Sequence, residues 1–523
     1  MGRMFARVYS ATVLGIQGID VEVEVDIANG LPYFEISGLA ASSVREARNR
    51  VKSAIKNSGY SFPLQRITVN LAPADVRKAG SMLDLSIAIG ILLGSGQVTI
   101  QNELANWIFL GELSLDGRLR PLHGLFPMIL AAKQAGFAGA VIPASCEEDV
   151  ERAKLPIVRI ATLQECVACC SLSNDELQAL CHSHEKNRRR FSQTEQIMEV
   201  ACFSDVKGQY HVKRAMEVAA SGLHHLMMVG PPGTGKTMMA RRFPAILPSL
   251  DEEQSLIVDT IYSACGLLSE RWKQTPYPPF RAPHASITRA GMVGGGAFPI
   301  PGEMSLSHLG VLFLDEWSEF SRNVLEAMRQ PLEDGHITLV RKEGKFSFPC
   351  HLLLVSSFNP CLCGFYRFET ESQPCKCSVN EIKRYWKRLS GPMLDRMDIQ
   401  VEVPRVRIDD MQKAGSITTD MMRERVQAAR ERQAHRYSGT QIQVNSQVSG
   451  RWLTHYIPLS DTVQAWLSAL YQTSGISNRS YDKIIKLART IADLEDSEHV
   501  REEHVAEAFQ YRALDQKQWK EEI

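Results

Sequence analysis

The segment HHLMMVGPPGTGKTMMARRF, residues 224–243, determines the fold of the central part of this chain. It contains a short apolar run, Leu226 to Val229, followed by a glycine-rich turn and the start of a helical pattern. The turn matches G-x-x-x-x-G-K-[ST] in full, in the strand, loop and helix setting that this motif requires. The sequence therefore predicts a phosphate-binding loop in an α/β nucleotide-binding domain.

The residues of this loop have distinct expected roles. Glycines allow backbone N–H groups to converge on phosphate oxygens, and the helix N-terminus adds a partial positive charge. We expect Lys236 to contact the β- and γ-phosphates of ATP and Thr237 to bind Mg²⁺. The predicted nucleotide-binding residues of the loop are Gly230, Pro231, Pro232, Gly233, Thr234, Gly235, Lys236 and Thr237.

Two further apolar strands end in polar side chains. GVLFLDEWSEF, residues 310–320, places Asp315 and Glu316 after a strand, and HLLLVSSFNP, residues 351–360, reaches Asn359. Open α/β sheets bind ligands at the carboxyl ends of their parallel strands. We therefore expect Asp315 to bind Mg²⁺, usually through water, Glu316 to activate the attacking water, and Asn359 to hold that water. The alternatives are acids that merely end a strand and an asparagine that forms a turn before proline.

Length and composition limit the class of protein. A chain of 523 residues exceeds what one hydrophobic core usually supports, which predicts two to four domains. Its 44% hydrophobic and 23% charged residues are typical of a globular protein. The first 26 residues turn acidic before a long apolar run develops, which predicts neither a signal peptide nor a membrane span and hence a cytoplasmic location. With 59 basic and 59 acidic residues, any nucleic-acid surface must be a local patch.

The three strand motifs, followed by RYWKRLSGPMLDRMDI at residues 384–399, resemble the AAA+ ATPases. The resemblance is closest to the magnesium-chelatase-like branch and, within it, to the family of bacterial competence proteins called ComM, along essentially the whole chain. It implies an α/β/α AAA+ core with an insertion in its second helix, which explains the long separation between Lys236 and Asp315. The expected domains are an α/β domain at 1–170, a linker at 171–200, the AAA+ core at 201–405 and a helical lid at 406–523.

The same resemblance assigns two arginines. Arg396 matches the arginine finger, which reaches the γ-phosphate bound by the neighbouring subunit, and Arg479 matches the sensor arginine of the lid. The family forms hexamers, so a homo-hexameric ring is expected, since a head-to-tail interface closes into a ring when the rotation permits. The alternative for either arginine is a surface or ion-pair role.

The N-terminal third resembles the protease domain of the Lon family, which has a ribosomal S5 domain 2-like α/β fold. The likeness lies in FLGELSLDGRLRPLHGLFPMILAAKQAG, residues 109–136. RKAGSMLDLSIAIG, residues 77–90, places Met82 at the position of the family's nucleophilic serine, and Phe126 stands at that of its lysine. Neither side chain performs nucleophilic or base chemistry. We therefore expect a non-proteolytic domain used for assembly or DNA contact, with a residual peptidase at Ser81 as the alternative.

Four cysteines lie in NPCLCGFYRFETESQPCKCS, residues 359–378. A reducing compartment argues against a disulfide, and a polar loop gains order from a tetrahedral Zn²⁺ bound by thiolates. The predicted ligands are Cys361, Cys363, Cys375 and Cys377. Reduced free thiols and redox chemistry are the alternatives. A second group is too irregularly spaced for a metal site and is expected to be buried or solvated: Cys169, Cys170, Cys181, His182 and His184.

A basic hairpin suggests the substrate of the ATPase. HITLVRKEGKFSFPC, residues 336–350, has two β runs around a charged turn, and the resemblance places such a hairpin and the helix-two insertion in the pore of a ring helicase. The expected DNA-binding residues are Arg289, Arg341, Lys342 and Lys345. A solvated basic turn is the alternative.

The resemblance implies a hexameric, ATP-dependent motor on single-stranded and branched DNA, including recombinase-loaded DNA. Such a motor would act as a helicase or branch-migration factor in natural transformation and homologous recombination. The alternative is a chelatase-type chaperone that remodels a protein partner. The fused Lon-like domain and the lack of an integrin-like metal domain favour the DNA motor.

Overall fold

The computed structural model describes most of the chain. The described residues are 4–38, 42–74, 76, 78, 81–146, 148, 150–181, 202–272, 277–342, 344–371, 373–388, 391–406, 417–474 and 476–512. Most of the linker expected at 171–200 lies outside them, including its basic residues Lys186 and Arg188 to Arg190 and the two histidines His182 and His184. The domain boundaries expected at 170, 200 and 405 stay predictions. Within the described residues, no helix combines the length and the apolar character needed to cross a bilayer.

The N-terminal region contains a seven-stranded mixed sheet in the order β3-β4-β2-β1-β5-β8-β9. The strands of this sheet are β1 Met4–Leu14, β2 Gln17–Ala28, β3 Tyr33–Ser37, β4 Arg66–Ala72, β5 Trp107–Phe109, β8 Gly139–Pro143 and β9 Ile157–Ile160. Two short strands, β6 Glu112–Leu113 and β7 Leu119–Arg120, pair separately with each other. The helices are α1 Ser42–Asn57, α2 Asp84–Gly94, α3 Leu125–Gln134 and α4 Leu163–Cys170. In β2 the alternation of valine with acidic residues buries Val21, Val23 and Val25, because successive side chains point to opposite faces. The α/β character expected from the sequence is confirmed.

The positions that correspond to the Lon nucleophile and base have ordinary structural surroundings here. Phe126 is fully buried at the start of α3, and Met82 packs against the domain core. The Ser81 hydroxyl donates a hydrogen bond to the Glu112 carboxylate. Three cysteines of the irregular group are also buried in this region: Cys169, Cys170 and Cys181.

The central region contains a five-stranded parallel sheet in the order β11-β12-β15-β10-β16. Its strands are β10 Leu226–Val229, β11 Phe280–Arg281, β12 Val311–Leu314, β15 Leu353–Phe358 and β16 Ile399–Glu402. β10, β12 and β15 are buried throughout, which explains why they appear in the sequence as continuous apolar runs. Strand β15 separates β10 from β12, so polar residues that follow these three strands meet at one edge of the sheet.

Helices cover the sheet and fill the segments between its strands. They are α5 Tyr210–Gly222, α6 Lys236–Arg242, α7 Glu252–Ala264, α8 Leu268–Trp272, α9 Arg289–Val293, α10 Glu303–Leu306, α11 Arg322–Asp334, α12 Val379–Arg388 and α13 Gly391–Leu394. Helix α7 joins the N-terminal region to this one, since the Ser263 hydroxyl donates to the buried Glu148 carboxylate at 2.6 Å. The Phe126 N–H also donates to Glu148, at 3.2 Å.

The predicted basic hairpin is present as β13 His336–Arg341 and β14 Gly344–Pro349, paired antiparallel. Its base packs against the turn between β1 and β2 in the N-terminal region. At Gly15, where φ is +69°, an added Cβ would lie 3.0 Å from a ring carbon of the buried Phe348. The turn therefore requires glycine both for its backbone conformation and for this close approach.

The C-terminal region is helical, as expected. Its helices are α14 Thr419–Arg436, α15 Arg451–Tyr456, α16 Asp461–Ser474, α17 Asn478–Leu494 and α18 Glu502–Gln510. Helix α17 buries an apolar stripe that includes Ile484, Leu487 and Ile491, with the three- and four-residue spacing of one helix face. These residues belong to the same core cluster as the apolar residues of α5, so the helical region packs directly on the central region.

Candidate functional site

The phosphate-binding loop connects β10 to α6, and its glycines adopt conformations that other residues avoid. Gly233 and Gly235 have φ values of 80° and 89°, in the left-handed region. At Gly230, an added Cβ would lie 2.3 Å from the carbonyl oxygen of Val403, just beyond β16. The glycines at 230, 233 and 235 are therefore required by the backbone path itself.

Lys236 lies at the start of α6 with its ammonium group turned into the loop. Its Nζ donates to the carbonyls of Gly230 and Pro231 at 2.7 and 2.9 Å, and to Oδ1 of Asn359 at 3.3 Å. Burial lowers the pKa of Lys236 to about 8, and the nearby carboxylate of Asp315 opposes this effect. A phosphate group in the loop would favour the charged form of this ammonium, because it adds negative charge within a few ångströms.

Asp315 is the centre of a hydrogen-bond network at the end of β12. Oδ2 accepts from the Thr237 hydroxyl at 2.8 Å, and Oδ1 accepts from the Ser357 hydroxyl and from the Glu316 N–H, the latter at 3.2 Å. Carboxylate and hydroxyl oxygens are hard ligands that suit Mg²⁺. The adjacent oxygens of Thr237 and Asp315 thus fit the predicted magnesium site.

Ser357 was not predicted from the sequence. It lies two residues before Asn359, and side chains two apart on a strand lie on the same face. The two-residue spacing from Asn359 could have indicated that Ser357 faces the site, but this signal is weak because buried serines are common in strands. By contrast, the structure does bring Asn359, which follows the strand between β10 and β12, beside Lys236.

Glu316 differs from Asp315 in its surroundings. Its side chain is exposed, and its backbone has φ of 52°, in the left-handed region. The residue thus turns the chain directly after β12, and its carboxylate is open to solvent beside the Thr237–Asp315 pair. Solvent exposure leaves room for a water at this carboxylate, so the expectation that Glu316 acts as the base stays a prediction.

The two predicted arginines lie away from these contacts. Arg396 donates from Nε to the carbonyl of Arg329 at 3.3 Å and forms an ion pair with Glu333, both on α11. Arg479 is exposed near the start of α17. The contacts described for Arg396 and the position of Arg479 do not place either guanidinium group in the phosphate-binding loop of the same chain.

The residues predicted to bind DNA are exposed. Three of them lie at the tip of the β13–β14 hairpin, and the fourth begins α9: Arg341, Lys342, Lys345 and Arg289. Beside them, Val340 is 69% exposed, so the end of β13 is open to solvent on this side.

The four cysteines of the 359–378 loop converge. Sulfur to sulfur distances are 3.3 Å for Cys361–Cys363, 3.7 Å for Cys361–Cys375 and 3.5 Å for Cys363–Cys375, and all four sulfurs lie within 4.8 Å of one another. Zn–S bonds of about 2.3 Å in a tetrahedron imply sulfur separations of about 3.8 Å. Backbone N–H groups of Tyr366 and Cys363 donate to Cys361 and Cys377, both at 3.4 Å. The cluster therefore fits a four-thiolate metal site.

The thiols of the cluster affect one another strongly. Burial opposes ionisation of Cys363, but hydrogen bonds from the backbone of Lys376 and Phe365 lower its pKa to about 6. Burial raises the pKa of Cys375 to about 12 and that of Cys377 to about 11, and the neighbouring thiols add to both shifts. Four thiolates at these distances repel one another, so their joint ionisation requires a cation among them.

The cysteine loop lies directly beside the phosphate-binding loop. At Gly364, where φ is +87°, an added Cβ would lie 2.7 Å from Cδ of Pro232. The Trp386 indole donates to the Pro360 carbonyl at 3.0 Å, and the Arg405 guanidinium lies 5.5 Å from the centre of the Phe365 ring. The cluster thus links the ends of β15 and β16 to the loop that would hold phosphate.

Comparisons with known proteins agree with this geometry. Three family profiles match: "Subunit ChlI of Mg-chelatase" over residues 23–146, "Magnesium chelatase, subunit ChlI" over 202–411, and its C-terminal profile over 416–512. The protein YifB of Salmonella typhimurium, described as uncharacterized, is 39% identical over 520 residues, covering 98% of this chain and 97% of YifB. Competence protein ComM of Haemophilus influenzae is 38% identical over 513 residues, covering 97% of both chains.

A partial likeness to Lon proteases is also present. Lon protease 2 of Bacillus subtilis is 26% identical over 162 residues, which cover 28% of this chain and 29% of that protease. The likeness to this protease is therefore partial, and it covers a minor part of either chain.

Proposed function

This chain belongs to the magnesium-chelatase-like family that includes YifB and ComM, and from that premise we propose that it is an ATP-driven ring motor acting on DNA. The family implies ATP hydrolysis. The observation that carries the proposal is the meeting of Lys236, Thr237, Asp315 and Asn359 at one sheet edge, in a chain that also projects an exposed basic hairpin.

Each residue of the sheet edge has a chemical task in this proposal. Lys236 binds the phosphates of ATP, and Thr237 with Asp315 holds Mg²⁺, which neutralises phosphate charge. Glu316 accepts the proton of the attacking water, and Asn359 orients that water. These tasks need no change in the described positions of Thr237 and Asp315, which already lie 2.8 Å apart.

Assembly completes the site. The hydrogen bond from Arg396 to the Arg329 carbonyl and its ion pair with Glu333 tie it to α11. Because the family's arginine finger acts across a subunit boundary, we propose that Arg396 reaches the phosphate bound by a second subunit. A head-to-tail interface that repeats closes into a ring, and we propose a hexamer. Arg396 would then exchange its ion pair with Glu333 for the γ-phosphate of the neighbour.

The exposed hairpin supports DNA as the substrate. Three cationic side chains at its tip would repeat in every subunit of a ring, and phosphate contacts of this kind bind without regard to sequence. The relative ComM is named a competence protein, which is consistent with a helicase or branch-migration role in natural transformation and recombination. We propose that role for this chain, with single-stranded and branched DNA as partners.

ATP turnover measured with and without DNA tests the proposal. We expect single strands and forked DNA to stimulate turnover and to bind in an ATP-dependent manner. Turnover that ignores DNA, together with no detectable DNA binding, would contradict the motor and favour a chaperone that remodels a protein, as the family name of a chelatase subunit suggests.

Loss of the hairpin lysines is expected to weaken DNA binding. The double variant Lys342→Ala, Lys345→Ala removes two phosphate contacts per subunit, so affinity for single strands should fall for every sequence. The slope of log affinity against log salt should shrink by about 0.7 per lost contact. A matched control is Lys383→Ala with Lys387→Ala, which removes two exposed lysines of α12. Equal behaviour of the two double variants in fluorescence-anisotropy titrations would refute the hairpin assignment.

The cysteine cluster predicts that the purified protein contains zinc. Freshly purified protein should contain about one zinc per chain, because four thiolates complete a tetrahedral site. Changing the four loop cysteines to serine should remove the metal, whereas Cys265→Ser, outside the cluster, should retain it. Elemental analysis measures both. Equal zinc in the quadruple variant and the wild type would show that the loop is not the binding site.

A further inference from the structure

The segment that carries Arg396 is held by the helical C-terminal region. Lys483 on α17 places Nζ 2.8 Å from Oδ1 of Asp398, and it donates to the carbonyls of Met397, at 3.3 Å, and Asp395. These acceptors lie on both sides of Arg396 in the sequence. One lysine of the lid therefore fixes the backbone from which the predicted finger extends.

Arg512 strengthens the same contact. Its guanidinium donates to the carbonyls of Met397 and Asp398, the latter at 3.3 Å, and to the Ser480 hydroxyl at 3.2 Å. Ser480 lies on α17, one position after Arg479. Helix α17 thus contacts the finger segment both directly and through Arg512.

The other side of Asp398 is joined to the phosphate-binding strand. Oδ2 of Asp398 accepts from the His225 N–H at 3.0 Å, and the His225 carbonyl accepts from the N–H groups of Asp398 and Ile399 at 2.9 and 3.0 Å. His225 directly precedes β10, which leads into the phosphate-binding loop. Asp398 therefore connects the lid, the finger segment and the nucleotide-binding strand.

The Lys483–Asp398 pair is largely buried, with side-chain exposures of 16% and 13%. Burial opposes ionisation of Asp398, but Lys483 and the neighbouring histidines hold its pKa well below the usual range. Buried ion pairs commonly stabilise a fold no better than apolar residues of similar size. A pair in this place is better explained by the geometry that it imposes on the residues around it.

We propose that Lys483 is a positioning residue for Arg396 and transmits the position of the lid to the nucleotide site of the neighbouring subunit. Arg479 lies four positions earlier, on the same face of α17. A lid movement in response to nucleotide would therefore displace Lys483 and the backbone around Arg396 together. This inference rests on the proposed action of Arg396 in trans.

ATP turnover of the Lys483→Met variant, measured on the full-length oligomer, tests this positioning role. Displacing a catalytic group by about 1 Å costs on the order of 100-fold in rate, so we expect ATP turnover to fall by about 10- to 100-fold. ATP affinity should stay within about twofold, because the loop contacts of Lys236 are untouched. Lys483→Arg retains the charge and should recover part of the rate.

Lys486→Met is the matched control. Lys486 is another partly buried lysine of α17 and also lies near the Asp398 charge, but its hydrogen bond goes to the Ser446 carbonyl, at 3.0 Å, rather than to the backbone around Arg396. We expect near wild-type turnover in this variant. Thermal melts of both methionine variants separate a loss of folding from a loss of rate, and a Lys486→Met variant as slow as Lys483→Met would overturn the proposal.

A double-mutant cycle with Arg396→Ala provides the decisive readout. If Lys483 acts through Arg396, the double variant should turn over no more slowly than Arg396→Ala alone. Fully additive losses, or wild-type turnover in Lys483→Met while Arg396→Ala is slow, would overturn the positioning role by itself. Wild-type turnover in Arg396→Ala would instead remove the finger and the inference that depends on it.

Discussion

Replacing Glu316 with glutamine is expected to lower ATP turnover by about 100- to 10,000-fold while ATP still binds. The glutamine amide has nearly the shape of the carboxylate but does not accept a proton from the attacking water. The exposed position of Glu316, directly after β12 and beside Asp315, leaves room for such a water. Phosphate release measures turnover, and equilibrium titration with a fluorescent ATP analogue measures binding.

Glu319→Gln is the control for this variant. Glu319 is also exposed and ends the short turn that follows Glu316, so its replacement removes one negative charge from the same surface. We expect turnover close to that of the wild type. Similar losses in both variants would indicate a general effect of charge, and wild-type turnover in Glu316→Gln would show that another group is the base.

Arg396→Ala is expected to lower turnover by about 1,000-fold or more with little change in ATP affinity. A finger supplied by a neighbour acts mainly on the charge of the transition state, and its loss costs a factor of about 10³–10⁵. In the described chain the guanidinium pairs with Glu333. Glu333→Gln removes this partner within the subunit and should leave turnover at least as high as in the wild type, which makes it an informative control.

Mixed oligomers test whether Arg396 acts on the neighbour. Arg396→Ala subunits retain the phosphate-binding loop, and Lys236→Ala subunits retain the finger. A mixture forms some interfaces in which both groups are intact, so part of the turnover should return although neither variant is active alone. A mixture that stays inactive at every ratio, although the subunits assemble together, would contradict action in trans.

Short sequence patterns predicted most of the elements around the candidate site. The strand before the phosphate-binding loop, the strand before Asp315 and the basic hairpin were predicted with nearly their observed bounds. Each is a short run whose apolar spacing and flanking glycines, acids or turn residues are contained within about ten residues. The roles assigned to the residues of the sheet edge, to Arg396 and Arg479 and to the hairpin cations stay predictions.

Long-range contacts account for what sequence reasoning missed. The hydrogen bond from Ser357 to Asp315, the packing of Gly15 against Phe348 and the Lys483–Asp398 pair join residues that are distant in the chain. No periodicity relates the members of such a pair, since their proximity follows from strand order and from the docking of one region on another. The convergence of the four cysteine sulfurs is of the same kind, although their Cys-x-Cys spacing gave a usable signal.

The sequence by itself therefore determined the family, the nucleotide-binding strands and loop, and which side chains are available for phosphate, magnesium and thiolate chemistry. These features depend on local chain geometry, in which a full phosphate-binding motif gives meaning to an acid at the end of a neighbouring strand that would be ambiguous alone. The tertiary structure alone decided where Arg396 rests, which lysine supports its backbone, and which part of the N-terminal region touches the hairpin. These outcomes depend on side chains that meet only after the sheets and helices have packed, and local sequence does not encode that packing.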